Sequence, residues 1–414
     1  MKKIFLFLLI INLTFAREIS FEEALEIAKK NNRNLQIQEL TVNQKKLEKN
    51  SKVKELLPTI QINSSYEKIE NQYEDEKFNN SLKAKQTIFS GGEKYNDVKL
   101  AKHNEELEKI NLYNEENYLR IKVLESYIQC LYNKEILLVY EKSYEDKEKE
   151  LERQVEFRNL GLVDKTEVLK LESSLYQTQG KILEAKNNLI TGNLALKTLL
   201  RIDPREKIQV KELDLKTIQM KNIVLEEDIK NTLKNGVQSK ILNKNIDIKE
   251  SETSKKLSSF FPKVSAEYSY NNINKDKFSG SFSGHQDDWE WRAGISFEWD
   301  IFNFGSDMDI YRSSKLDVEK LKLTRDEELD NLRKNMINAY NNIFTLEKSM
   351  ESNRKAFETS LETYNIEKEK YENRLIDTID YLKAEEDMMR TKVEYYNSKL
   401  NYFLAYEKYM VLRK

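Results

Sequence analysis

The stretch Trp289 to Gly305, WEWRAGISFEWDIFNFG, decides how the chain is read. Trp291, Ala293, Ile295, Phe297, Trp299 and Ile301 alternate with Glu290, Arg292, Gly294, Ser296, Glu298 and Asp300. A side-chain period of two sends the first set to one face of a β-strand and the second to the other. One face is oily and aromatic, the other charged. A soluble sheet uses that pattern with its oily face on a core. A membrane barrel uses it the other way, with oil toward lipid and charge toward a wet lumen. About ten alternating residues match a tilted strand crossing a bilayer. The strand alone fits either arrangement, and the choice falls to the rest of the chain.

Met1 to Ala16 reads as a secretory signal. Lys2 and Lys3 supply the positive end, Ile4 to Leu13 is apolar apart from Asn12, and Thr14 and Ala16 suit cleavage. Elsewhere no apolar run is long enough for a membrane-spanning helix. Membrane residence would therefore rest on strands. The single cysteine, Cys130, excludes an internal disulfide and reads as a small core residue on a helix. The formal net charge is -2, and removal of Lys2 and Lys3 makes it -4. Charged residues make up 34% of the chain, with both signs interspersed. That is a solvated helical surface and not a nucleic-acid footprint. Only 10 Gly and 3 Pro in 414 residues predict very long helices.

In chain order, Ser20 to Leu56 reads as a helix, with Ser20 and Glu23 spaced for a capping box and Pro58 ending it. Residues 59–70 alternate and read as a strand. A polar tip follows at 71–80, then a second strand at 81–90 that Gly91-Gly92 ends. Residues 93–159 hold neither Gly nor Pro and predict one helix of about 100 Å at 1.5 Å per residue. The tip turn is at 160–165, where Gly161 interrupts NLGLVDKTEV. A further helix runs from about 165 to 200. Pro204 then lies in a short irregular linker reaching about 222.

The pattern then repeats. VLEEDIKNTLKNG at Val224–Gly236 lines up with SFEEALEIAKKNN at Ser20–Asn32, and Pro262 answers Pro58 at an offset of 262 − 58 = 204. Strands are expected at 263–274 and 289–303. Ile301-Phe302 with Gly305 answers Ile88-Phe89 with Gly92 at 301 − 88 = 213. The extra residues fall in the polar tip NINKDKFSGSFSGHQDD, where length change is tolerated. The larger offset persists through the second tip turn at 373–378: Leu375-Ile376-Asp377 answers Leu162-Val163-Asp164. After removal of residues 1–16, the chain divides into repeats 17–222 and 223–414. Each is helix, two strands, long helix, tight turn, helix. In the second, Leu329, Leu332, Met336, Ala339, Ile343, Leu346, Met350 and Phe357 form one apolar seam. Ile379, Leu382, Met389, Val393, Tyr396, Leu400, Phe403 and Met410 form its return, with Glu386 and Glu407 as exceptions.

Four strands cannot close a useful barrel, and open edges cannot lie in lipid. Several copies must share one barrel. Three copies give twelve strands and a solute-sized lumen, while two or four satisfy the same argument. The duplicated order, the proline before each first strand, the IFSGG and IFNFG exits and the GLVDKTEVLKLE and RLIDTIDYLKAE turns resemble the TolC family of outer-membrane efflux proteins. The resemblance spans nearly the whole mature chain. It implies a mainly α fold with membrane β: a homotrimer whose twelve-stranded β-barrel continues into a long periplasmic α-helical barrel. It implies a passive duct for efflux or type I secretion, not an enzyme. Its partners would be outer-membrane lipid, a periplasmic adaptor protein and an inner-membrane pump of RND or ABC type. Trp291, Ile295, Phe297 and Trp299 would then face lipid.

The resemblance carries site residues with it. Gly161, Leu162, Val163 and Asp164 match one adaptor-docking turn, and Arg374, Leu375, Ile376 and Asp377 the other, with Arg374 where the family often has glycine. The simpler account is turn chemistry: Gly breaks a helix and Asp caps the next. Asp380, Tyr371 and Glu167 match residues of the periplasmic gate, and Lys383 stands where a second gate aspartate is expected. The simpler account of Asp380 is a solvated helix charge. His285 with Asp287 and Asp288 reads as a solvated loop and His103 as a lone surface residue. Ser90-Gly91-Gly92 lacks the lysine of a phosphate loop. No nucleophile–base spacing stands out, and no cofactor or metal is implied. Two rival readings are a periplasmic adaptor, which needs a Gly-rich lipoyl-like half, and a secreted coiled coil, which has no use for four amphipathic strands.

Overall fold

The computed structural model describes residues 17–70, 74–213, 223–274 and 289–414. The signal expected at 1–16 and the expected tip holding His285, Asp287 and Asp288 lie outside them. The elements run β1 (Arg17–Ile19), α1 (Phe21–Asn31), α2 (Arg33–Lys54), β2 (Thr59–Glu70), β3 (Glu74–Ser90), α3 (Glu93–Asn159) and α4 (Lys165–Leu200). Then come β4 (Ile208–Val210), α5 (Leu225–Asn235), α6 (Val237–Lys256), a one-turn 3-10 helix at Leu257–Phe260, β5 (Lys263–Asn274), β6 (Trp289–Glu298), α7 (Ser306–Glu372) and α8 (Thr378–Arg413). Both 67-residue helices sit where Gly and Pro are missing. No described helix is long and apolar enough to cross a membrane.

Several sequence expectations need correction. The single helix at 20–56 is two helices, because the Asn32 side chain accepts from the backbone N–H groups of Asn34 (2.8 Å) and Leu35 (3.1 Å) and so starts a new one. Ser20 accepts from the Glu23 backbone, but the Glu23 carboxylate turns to Arg17 and leaves the capping box half made. β3 begins at Glu74, inside the expected polar tip, since every residue there finds a partner on β2. β6 ends at Glu298, five residues early, because β5 offers no partner beyond Lys263. The linker after α4 holds β4, which pairs in parallel with β1. Tyr127 is fully buried, and its hydroxyl lies between the Ile19 and Lys211 carbonyls at 2.9 and 2.6 Å.

The chain divides into two compact units that cut across the repeats. Unit 1 takes Met1–Gln36, Asn114–Gly236 and Leu332–Lys414. One of its cores gathers Ile229, Met336, Ile343, Tyr402 and Tyr409, where the Tyr409 hydroxyl donates to Asp228 at 2.8 Å. Most of the two seams face inward as expected, but Ile379 is 52% exposed. Cys130 is buried, and burial pushes its thiol up to about 12, so it is inert.

Unit 2 takes Ile37–Tyr113 and Val237–Asn331. Its sheet has the order β2-β3-β5-β6, antiparallel throughout. Glu105 is nearly buried between Lys109 (2.7 Å) and Lys49 (2.5 Å), and those hydrogen bonds hold its carboxyl down at about 2. His103 is not a lone surface residue. Its ring lies 3.3 Å from the Lys244 ammonium, which also meets Glu106 and Asp247 at 2.9 Å.

Candidate functional site: the paired turns and the two-faced sheet

In unit 1 the two tip turns have one backbone. Gly161 has φ 73° and Arg374 has φ 61°, both left-handed. The N–H of Leu162 reaches back to the Phe157 carbonyl at 2.8 Å, and that of Leu375 to the Lys370 carbonyl at 2.8 Å. These are matched helix C-caps. Asp164 and Asp377 then cap the next helices, Asp164 accepting from the Thr166 N–H at 2.7 Å and Asp377 from the Asp380 N–H at 3.0 Å. The Thr166 hydrogen bonds hold the Asp164 carboxyl below its usual range. Turn chemistry therefore accounts for these aspartates fully, whatever else they do.

Their apolar neighbours behave differently. Leu162 is 49% and Leu375 73% exposed. Val163 is half-buried, and Ile376 packs beside Tyr371 and Tyr381. A groove of about 370 Å³ opens between the turns, walled by Phe157, Leu162, Tyr371, Arg374 and Leu375. The Arg374 guanidinium lies 4.7 Å over the Phe157 ring.

The three gate candidates do not share an environment. Tyr371 is buried, stacked on Tyr381 at 4.6 Å between ring centres, with its hydroxyl 3.1 Å from that of Thr378. Burial raises its phenol to about 12. Glu167 accepts from the Thr378 backbone at 3.1 Å and from Lys170 at 2.9 Å. Burial pushes the Glu167 carboxyl up, but those hydrogen bonds outweigh it and hold it below its usual value. Asp380 is exposed. Tyr371 and Glu167 thus meet at Thr378, and Asp380 stands apart from them.

One cluster escaped the sequence reading. Glu385 on α8 is almost fully buried, accepting from the Ser143 hydroxyl at 2.7 Å with the Lys147 ammonium 3.3 Å from its other oxygen. Lys147 also donates to the Thr178 hydroxyl at 3.0 Å. Burial pushes the Glu385 carboxyl up, and Lys147 opposes that. The residues named as charged exceptions are the milder ones: Glu386 is exposed and meets Lys181, and Glu407 meets Arg120. The signal was available, since Tyr381, Glu385 and Met389 step by four along one face.

In unit 2 the sheet has two unlike faces. Trp291, Ala293, Ile295 and Phe297 of β6 lie opposite Tyr270, Tyr268, Ala266 and Val264 of β5. The same face continues through Leu82 and Ala84 of β3 to Ile62 and Ile60 of β2. It is uncovered: Ile60 is 71%, Ile62 74%, Trp291 67%, Ile295 74% and Phe297 65% exposed. The other face carries Lys85 paired with Glu267, Arg292 with Glu290, and Ser265 bonded to Ser296. Trp299 lies past the end of β6, 46% exposed, and its indole N–H donates to the Phe260 carbonyl at 3.2 Å.

Residues 24–200 match the model of the outer membrane efflux protein family. In fold the chain superposes on CusC, a transmembrane channel, with a TM-score of 0.81 and 15% identity, covering 95% of this chain and 91% of that one. The chain is TolC-like in fold, and its residues 24–200 resemble the outer membrane efflux protein family in sequence. The open state of the Neisseria gonorrhoeae MtrE outer membrane channel gives 0.80 and 15% identity over 95% and 88% of the two chains. The Campylobacter jejuni CmeC outer membrane channel gives 0.78 and 17% over 95% and 85%. No curated protein matches the chain. In this TolC-like setting an uncovered apolar sheet face beside a polar one is what a membrane strand requires.

Proposed function

We propose that the chain is the outer-membrane exit duct of an efflux or type I secretion assembly. Three copies bring twelve strands into one barrel, with the face of Ile295 and Phe297 toward lipid and that of Arg292 and Ser296 toward the lumen. The mature protein resides in the outer membrane with a long periplasmic portion, passes its cargo passively and catalyses nothing. The observation that carries this reading is the uncovered apolar face of a sheet with two free edges, in a chain that has no described membrane helix. Burying such a face in water-excluded surroundings is favourable at roughly 25 cal/mol per Å².

The tip turns supply the docking half. Leu162 and Leu375 project from turns with no core of their own to fill, and they serve as apolar contacts for a periplasmic adaptor protein that links the duct to an inner-membrane pump of RND or ABC type. Asp380 faces the bore there, with Tyr371 and Glu167 setting the helix ends behind it. The test is a chain carrying Leu162→Asp and Leu375→Asp. Export of the cargo should be lost while heat-modifiable trimers remain in outer-membrane fractions at wild-type amounts. Loss of the trimers would make these leucines structural. Recovery of wild-type chain as a soluble monomer would remove the duct reading altogether.

A further inference from the structure

The groove between the two turns is walled by two guanidinium groups whose hydrogen bonding is unfinished. Arg153 and Phe157 lie four residues apart on α3 and share one face, so both line this space of about 370 Å³. The Arg153 guanidinium is bonded through Nη2 alone, to Glu150 at 2.7 Å. Its Nη1 stands 3.9 Å from Glu372, beyond hydrogen-bond reach, and its Nε–H is buried with no acceptor. A buried donor without a partner is costly and uncommon.

Arg374 closes the groove from the second turn. Its guanidinium lies 4.7 Å over the Phe157 ring, and no acceptor among the described residues bonds it. Stacking occupies the flat face of a guanidinium and leaves the N–H groups of its edge free for a planar acceptor. The backbone there is left-handed, φ 61°, a conformation that is costly for arginine and not for glycine. The acids of the groove do not supply the missing acceptor. Glu167 is held by the Thr378 N–H at 3.1 Å and by Lys170 at 2.9 Å, and Asp377 caps α8 through the Asp380 N–H at 3.0 Å. The matching places around the first turn offer nothing comparable. Gly161 answers Arg374 with no side chain, Lys370 answers Phe157 with no ring, and Ile366 answers Arg153 with no donor. Among the described residues the chain therefore has one such groove and not two.

We infer that Arg374, backed by Arg153, makes this groove a receptor for a carboxylate side chain beside an apolar one, carried on a helical turn of the docking partner. This rests on the docking proposed above and names the chemistry the partner must bring: an aspartate or glutamate next to a leucine-like residue. The carboxylate takes a two-point hydrogen bond from the edge of the Arg374 guanidinium. Its apolar neighbour lies against Leu162 and Leu375, which are 49% and 73% exposed. The leucines alone would accept an acidic, neutral or basic turn. The unpaired guanidinium rejects a basic one, so Arg374 sets which partner fits.

The test uses purified full-length chain in detergent and a fluorescent synthetic helical hairpin, cross-linked at its open end, whose turn reads Leu-Glu. Two companion hairpins read Leu-Gln and Leu-Lys. Wild-type chain should bind the Leu-Glu hairpin roughly tenfold more tightly than Leu-Gln, the lower end of what a charge-assisted pair supplies, and Leu-Lys most weakly. Binding of Leu-Glu should saturate at one hairpin per chain. Arg374→Gln should abolish the preference for Leu-Glu, and Arg374→Glu should reverse the order in favour of Leu-Lys. Arg153→Lys keeps the charge but removes the Nε–H, and it should lower the preference several-fold; an unchanged preference there removes Arg153 from the receptor. Leu375→Ser should weaken all three hairpins alike. If it does so while wild type binds Leu-Glu and Leu-Gln equally, or while Arg374→Gln keeps the preference, the leucine docking stands and the carboxylate receptor is overturned. Saturation at two equal Leu-Glu hairpins per chain overturns it as well, since the first turn has no such groove. If no hairpin binds wild-type chain, both readings fall.

Discussion

Gly161 and Arg374 occupy the same left-handed turn in two halves of one molecule, yet only one of them is glycine. A Cβ at Gly161 meets nothing within 4 Å, so packing does not require glycine there; the backbone alone does. At Arg374 the chain accepts the backbone cost and gains a guanidinium laid on the Phe157 ring. The same asymmetry recurs across the repeats. Glu167 is tied to Thr378, whereas its counterpart Asp380 is exposed. Glu172 is half-buried, whereas its counterpart Glu385 is sealed against Lys147. Duplication preserved the backbone path and the strand registers. Side chains diverged where the halves face different surroundings, and the repeats are interchangeable only on the sheet.

The largest expected effect lies at Glu385. Glu385→Leu leaves the Lys147 ammonium buried with only the Thr178 hydroxyl, and breaking such a pair costs about 3–5 kcal/mol. Glu172→Leu at the matching position should change stability by less than about 0.5 kcal/mol. Denaturant unfolding of the two variants measures the difference. Glu385→Leu combined with Lys147→Met should recover most of the loss, because the uncompensated charge goes with it. Equal small effects at 172 and 385 would mean that the halves differ less than the burial implies.

The sheet supplies the opposite case. Leu82 and Ile295 are repeat counterparts on the uncovered face, and arginine at the bilayer centre costs about 2–4 kcal/mol. Leu82→Arg and Ile295→Arg should therefore damage folding into lipid bilayers alike. Ser296→Arg, on the polar face beside Ser265, should fold as wild type does. Damage from Ser296→Arg equal to that from Ile295→Arg would argue for a sheet buried on both sides.

These contrasts follow what the sequence could and could not carry. The helices at 93–159 and 165–200 were legible because the chain lacks helix breakers between Gly92 and Gly161, and Gly161 with Asp164 marks the turn. Alternation in WEWRAGISFEWDIF marks the strand but not its end. A period of two persists as far as Ile301, while ladder bonds stop where β5 runs out at Lys263. Periodicity reports which face a residue takes; only the partner strand decides where pairing ends. β1 and β4 were invisible because three residues are too short for any period. At the tip, the capping aspartates and exposed leucines were readable from turn chemistry. Burial of Tyr371 was not, since stacking on Tyr381 depends on how α7 and α8 cross.

The smallest effect tests the turns themselves. Gly161→Ala places a Cβ on a left-handed backbone, which costs about 1–2 kcal/mol for an L residue. No new contact offsets that cost, because the site is open. Arg374→Gly runs the reverse way. It relieves about the same backbone cost but loses the Phe157 contact, worth about 0.5–1 kcal/mol at an exposed site. Its net effect should lie between no change and a gain of about 1.5 kcal/mol, opposite in sign to Gly161→Ala, and thermal unfolding of the two variants measures both. Arg374→Lys separates the terms further: it keeps the strain and the charge but gives up the planar fork that lies on the ring. If Arg374→Lys is less stable than wild type by about the ring term, the guanidinium on the Phe157 ring is what offsets the strain in this turn. If Arg374→Gly proves more stable than wild type by the full backbone term, the ring contact contributes nothing, and arginine is kept for something the folded chain does not itself use.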